Sequence, residues 1–260
     1  MVKYGYLTGG LPPNHCSVQS GDCQSGNPAI EPYLAAHNVI LSHVTAVDIY
    51  RKKYQVMQGG KIGIVLNSIW YEPLRNISSD QSAAQRALAF HNAWILDPIM
   101  FGEYPPEMQR ILGPRLPKFS LQEKEKLQNK LDFIGISHYT SLYAQDCMFS
   151  ECNAITSQTD AFVLTTGERD GTYIGEPTAM EAFYVVPSGM EKIIMYYKDR
   201  YDNIPMFITG NGYPDANDPS NSVDDFVIDS KRVEYLNGHL SSLTMALRYL
   251  VFLFMKFYFI

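Results

Sequence analysis

Three short apolar runs constrain this chain more than anything else in it: Ile62-Gly-Ile-Val-Leu66, Phe133-Ile-Gly-Ile136 and Met206-Phe-Ile-Thr209, about seventy residues apart. Continuous β-branched and apolar runs of this length read as strands buried on both faces. Helical patterns lie between them. From 31 to 54, Tyr33, Ala36, Ile40, Val44 and Val47 fall at three- and four-residue steps, and a Gln-Gly-Gly run at 58–60 closes the pattern. Ala83, Ala84, Ala87 and Leu88 predict a second helix that Asp80 can cap, after a polar loop running through Trp70 and Arg75 to Ser79. A polar helix is expected over 120–130, another from about Ser188 with Met190, Ile193, Ile194 and Tyr197 on one face, and a last one over 229–248. Prolines 98, 105, 106 and 117 forbid regular helix throughout the stretch between 97 and 117. Strands alternating with helices and followed by long loops argue for right-handed βα units and a parallel sheet. A doubly wound sheet and a (β/α) barrel both satisfy that pattern. In a barrel the C-terminal strand ends, at 67–70, 137–139 and 210–213, would face the active site.

Composition narrows the partners. The 260 residues are 46% hydrophobic and 18% charged, enough apolar material for a sizeable core. A net charge of −6 with no basic run argues against nucleic acid. No GxGxxG or GxxxxGK[ST] follows any of the three strands, which removes the usual support for a nucleotide site. The six histidines, at 15, 37, 43, 91, 138 and 239, show no HxxxH or HExxH spacing, so neither a metal nor another cofactor is expected. The 18 tyrosines suit sugars, but they also suit cores, which is the better reading of composition alone. Cys16 with Cys23 and Cys147 with Cys152 form two local pairs in polar stretches and admit two loop disulfides. With the sequon Asn76-Ile-Ser78 they point to an oxidising compartment and a glycoprotein. The first residues, Met1-Val-Lys-Tyr-Gly-Tyr-Leu7, lack the pattern of a signal peptide, so localisation stays open. The twelve residues 249–260 carry one charge, Lys256, and are too few to span a bilayer, which takes roughly 20.

Longer motifs carry a resemblance. They include Gly5-Tyr-Leu-Thr-Gly9, Ala36-His-Asn-Val-Ile-Leu-Ser-His43, Trp70-Tyr-Glu-Pro73, Trp94-Ile-Leu-Asp-Pro98, Gly102-Glu-Tyr-Pro-Pro106, Asp132-Phe-Ile-Gly135, His138-Tyr-Thr140, Pro187-Ser-Gly-Met-Glu-Lys192 and Lys231-Arg-Val-Glu-Tyr-Leu236. With these, the chain resembles the plant β-glucosidases of glycoside hydrolase family 1 from Tyr4 to about Arg248.

The resemblance implies a partial (β/α)8 TIM barrel, roughly strands four to seven. Residues 1–248 would form the incomplete barrel and 249–260 an unrelated apolar tail. Open sheet edges would then favour aggregation or self-association. The family's chemistry is retaining hydrolysis of terminal β-glucosyl bonds by two Glu about 5 to 5.5 Å apart. The acid/base belongs to an Asn-Glu-Pro motif expected just upstream of Met1, and the nucleophile to Ile/Val-Thr-Glu-Asn-Gly. The latter reads Ile208-Thr-Gly-Asn-Gly212 in this chain, with Gly210 in the nucleophile's place. The family usually has Asn at Ser137, and Tyr139 matches its tyrosine that hydrogen-bonds the nucleophile, a substrate-side residue. The resemblance also pairs Cys16 with Cys23 beside the active-site mouth. It makes Glu72 a loop-positioning carboxylate, while Glu103 and Glu107, set among prolines, read as surface or loop anchors. The reading is thus a β-glucosidase scaffold without turnover, whose ligand, if any, is a small β-glucoside. The alternative is a sugar- or partner-binding pseudoenzyme that keeps Trp70, Trp94 and Tyr139 as cleft aromatics.

Overall fold

The structure is a computed structural model and describes residues 2–17, 23, 25–127, 131–150, 160–216 and 227–248. The tail at 249–260 and Cys152 lie outside them. Three strands pair in parallel, β1 (Gly63–Pro73), β2 (Phe133–Asp146) and β3 (Met206–Gly210), with β2 in the middle. Parallel neighbours need long crossovers, and the helical segments anticipated between the runs provide them. Among the described residues the sheet does not close: β1 and β3 each pair with β2 alone.

The chain divides into two compact units. One comprises residues 63–88, 132–145 and 165–260 and holds the parallel strands. Within it α3 (Ser78–Leu88) and α7 (Ser188–Arg200) pack against β1, and α8 (Ser230–Leu247) packs against α7. Ile134, Ile136, Met206 and Ile208 from the strands are buried, as are Met190, Ile193, Ile194 and Tyr197 from α7. Fully burying an aliphatic side chain contributes about 1.5–3 kcal/mol, so this layer is what holds the sheet's outer face in place.

The other unit comprises residues 1–62, 89–131 and 146–164. It contains α1 (Val2–Tyr6), α2 (Glu31–Lys53), α4 (Trp94–Phe101), α5 (Pro106–Leu112) and α6 (Leu121–Leu127). α2 buries the stripe read from the sequence: Tyr33, Ala36, Ile40, Val44 and Val47. The prolines divide the segment after it as expected, with Pro106 opening α5 and Pro98 inside α4, just after a π-helical turn at Ala89–Ala93. Cys16 and Cys23 form a disulfide, and Gly9, at φ +68°, packs so closely on it that a Cβ would fall 2.0 Å from the Cys23 sulfur. Cys147 is buried and disulfide-bonded.

Two local expectations are corrected. Asp80 is not the helix cap: it sits within the first turn of α3, fully buried. There it accepts hydrogen bonds from the Arg75 backbone N–H at 3.0 Å and from its guanidinium Nε and Nη2 at 2.7 and 3.0 Å. An arginine five residues upstream outcompetes the helix N–H groups because its fork matches a carboxylate with two parallel bonds. The residues read as a polar loop through Trp70 continue as strand, since β1 runs to Pro73 and β2 to Asp146 across a register shift between Ser68 and Trp70.

Candidate active site

The two faces of β2 do different work. Successive strand side chains point to opposite sides. His138 and, beyond the irregularity, Ser141 turn towards α7, where a Cβ on Gly189 would meet Ser141 Oγ at 2.1 Å and His138 Nε2 at 2.8 Å. Ser137 and Tyr139 turn the other way, towards Gly210 at the end of β3.

On the α7 face, Ser68 of β1 is wholly buried and shares a 2.7 Å hydrogen bond with the Tyr197 hydroxyl. Its carbonyl accepts from His138 Nδ1 at 2.9 Å. A carbonyl only accepts, so this contact fixes the proton on Nδ1 and leaves His138 Nε2 with a lone pair. Burial, aided by the neighbouring His239, pushes the His138 imidazole down to about 4, although the Ser68 hydrogen bond acts in the opposite direction. His239 repeats the arrangement from α8: Nδ1 donates to the Tyr235 carbonyl at 2.8 Å, the ring stacks on Tyr235 at 3.9 Å, and burial lowers it to about 4. Both imidazoles are therefore neutral at pH 7.

At the strand ends, Asn211 Nδ2 donates to the His138 carbonyl at 2.8 Å and to the Tyr235 hydroxyl at 3.1 Å. The Tyr235 hydroxyl donates a hydrogen bond to the Tyr139 carbonyl at 2.8 Å, and burial holds its phenol well above the usual tyrosine range. Asn211 thus ties the end of β3 to β2 and α8 immediately beside Gly210.

Gly210 pairs with Ser137 at a point where the β2–β3 register shifts. A Cβ built on it would lie 2.4 Å from the Tyr139 hydroxyl, 2.7 Å from Ser137 Oγ and 2.9 Å from Ser137 Cβ. The phenol is the far end of a side chain that can swing, but Ser137 Cβ is fixed to the backbone, so a side chain at 210 requires the two strand ends to shift apart. Ser137 Oγ also contacts Thr209 Oγ1 at 3.3 Å. Burial and hydrogen bonds set the ionisation of His138, His239 and Tyr235, with His239 acting on His138 and Tyr139 on Tyr235 and no carboxylate among the causes. The described residues contain no group of three or more His, Cys, Asp or Glu placed to hold a metal ion.

The structure brings Tyr139 and Gly210 together and takes the indoles elsewhere. Trp70 packs edge-on to Tyr196 of α7 and donates from Nε1 to Glu72 at 2.8 Å; Lys192 completes the grip on that carboxylate. Trp94 lies 5.2 Å from Tyr33, ring to ring, in the helical unit. Glu103 is paired with Lys124, and Asn76 is exposed just before α3. The sequence places Ser68 and Asn211 at strand ends and Tyr235 in a family motif, but assigns neither them nor His239 a role. Only the Tyr235–His239 pair carried a signal, four residues apart on a helix, a spacing that stacks side chains.

The sequence profile of glycosyl hydrolase family 1 matches residues 1–258. The chain belongs to that family. Its relatives include "Probable inactive beta-glucosidase 14" of Oryza sativa subsp. japonica, 49% identical over 95% of this chain and 48% of that protein. Another is coniferin β-glucosidase of Pinus contorta, 43% identical over 95% of this chain and 49% of that protein. Among solved structures, a rice β-glucosidase superposes with a TM-score of 0.91 at 35% identity, covering 98% of this chain and 55% of that one. A family 1 β-glucosidase from the fungus Humicola insolens, in complex with glucose, gives 0.87 at 28%, covering 95% and 51%. The chain spans about half the length of the curated relatives it matches. Its fold is accordingly a partial (β/α)8 barrel of the family 1 type, whose described part includes the parallel strands β1, β2 and β3 and their helices.

Proposed function

We propose that this chain is a family 1 β-glucosidase scaffold that does not form the covalent glycosyl-enzyme of its relatives. The reading rests on Gly210, which the motif resemblance aligns with the family's nucleophilic Glu and which lies against Ser137 and Tyr139. Retaining hydrolysis needs a carboxylate at that place, and glycine supplies none. The relative named "Probable inactive beta-glucosidase 14" supports the same reading. The substrate class inherited from the family is a small β-glucoside, met by Tyr139 from the β2 side. The test is hydrolysis of an aryl β-glucoside by the purified chain. No release of phenol above the heat-denatured control is expected, and a rate clearly above it contradicts the reading.

Among the described residues β1 and β3 each pair with β2 alone, and a strand edge that stays exposed is a template for further pairing, which supports self-association. For a role in binding alone, Tyr139 is the remaining aromatic on the Gly210 side of β2, because Trp70 is held against α7. That role predicts saturable β-glucoside binding without cleavage.

A further inference from the structure

The turn between β1 and α3 carries a chemistry that glycoside cleavage does not use. Asn76-Ile-Ser78 is the chain's one Asn-X-Ser/Thr sequence, the acceptor pattern for an N-linked glycan. Three residues meet that pattern by chance in buried segments too, so the surroundings decide. Residues 75–79 are all exposed, and the buried Asp80 grips both the backbone and the guanidinium of Arg75, which fixes the turn. Gln81 Nε2 donates to Asn76 Oδ1 at 3.1 Å. The amide is planar, so with its oxygen held towards Gln81 its Nδ2, the atom that takes the sugar, faces away from that side chain. Cys16–Cys23 is a disulfide and Cys147 is disulfide-bonded, and disulfides form in the secretory compartments where N-glycans are added.

Asn76 also lines a cavity of about 360 Å3, all of whose walls belong to the unit that holds the parallel strands. That size lies within the range of small-molecule sites. Pro73, Ile174 and Val186 supply apolar wall, and the Arg169 guanidinium lies over the Tyr143 ring, 4.8 Å from its centroid. The one carboxylate in the lining, Glu72, is engaged by Trp70 and Lys192. An N-acetylglucosamine is neutral, so the balance of charge around the cavity does not decide its fit. It needs apolar surface for its acetamido methyl and ring C–H groups and donors for its oxygens, and Pro73, Ile174 and Val186 offer the first and Arg169 the second. Being tethered to Asn76, the sugar is held beside the cavity at high effective concentration and requires no affinity as a free ligand.

We propose that Asn76 carries an N-linked glycan whose first N-acetylglucosamine rests in this cavity. The proposal is independent of the reading of the Gly210 region.

The test is intact-mass spectrometry of the full chain, produced behind a secretion leader in human cells, during digestion with peptide N-glycosidase F. One glycan at Asn76 is expected, lost in Asn76→Gln and in Ser78→Ala and kept in Ser78→Thr. Release from the folded chain should be about tenfold slower than after denaturation, because the seated sugar has to leave the cavity before its link is reached. Arg169→Ala, at an exposed position, should speed release from the folded chain about fivefold and leave release from the denatured chain unchanged. Ile174→Ser, which alters the apolar wall, gives the same reading should the arginine variant fold poorly. An unoccupied Asn76, equal release from folded and denatured chain, or indifference to both wall variants each overturns the proposal.

Discussion

The two seams of β2 cross the same strand by different means. On the β1 side the register runs from Gly63 opposite Phe133 to Pro73 opposite Ala144, and its single shift lies between Ser68 and Trp70. Side chains secure that irregularity: Ser68 reaches Tyr197 of α7, and His138 reaches back to the Ser68 carbonyl. On the β3 side the register ends with Ser137 opposite Gly210, at a shift where the glycine itself has no side chain to offer. The bonds that close this seam come from Asn211, one residue further on. One seam therefore rests on hydrogen bonds made at the irregularity itself, while the other combines a close approach at Gly210 with the hydrogen bonds of Asn211 beside it.

Acid tests the first seam hardest. His138 and His239 stay neutral in the folded chain down to about 4, whereas a free imidazole takes up its proton near 6.5. Between those values the unfolded chain binds more protons, so stability falls as pH drops from about 6.5 to about 4 and levels off below. The loss is on the order of 3 kcal/mol per histidine at most. Urea unfolding at pH 7, 5.5 and 4 follows it, and His239→Phe should flatten part of the slope. An unchanged slope in that variant means His239 is not held neutral.

Gly210→Glu tests the second seam. Its Cβ would crowd the fixed Ser137 Cβ at 2.9 Å, so about 1–3 kcal/mol of destabilisation is expected, without recovery of aryl glucoside hydrolysis. A wild-type urea midpoint for this variant shows instead that β3 can move away from β2.

Tyr197→Phe probes the support for the first seam more gently. It removes the partner of Ser68, whose hydroxyl retains a 3.3 Å contact to the Leu66 carbonyl, and costs about 1 kcal/mol. The effect should vanish in a Ser68→Ala background, because a double-mutant cycle isolates the shared bond.

What the sequence revealed and hid follows from the same contrast. The apolar runs at 62–66, 133–136 and 206–209 fall in β1, β2 and β3, and the α2 stripe is buried as its period requires, because apolar periodicity reports burial directly. The continuation of β1 and β2 was hidden because Asn67, Ser68, Ser137 and His138 look like loop residues. Ser68 and His138 are strand residues only because Tyr197, 129 positions away from Ser68, and the Ser68 carbonyl satisfy them. Long-range partners leave no local pattern, and the same holds for Asp80, whose predicted cap was pre-empted by Arg75. At the site, Gly210 and Tyr139 were legible through the family motifs. The roles of Asn211 and Tyr235, both inside family motifs, emerged only when the strand ends and α8 were placed together.

The central claim is that no carboxylate attacks a glucoside at position 210. The direct measurement is intact-mass spectrometry of the chain after incubation with an activated 2-deoxy-2-fluoro-β-glucoside, which labels the nucleophile of a retaining enzyme because the covalent intermediate hydrolyses slowly. An unchanged mass is the predicted result. A single fluoroglucosyl adduct would show that another residue has taken over the role of nucleophile and would contradict the account.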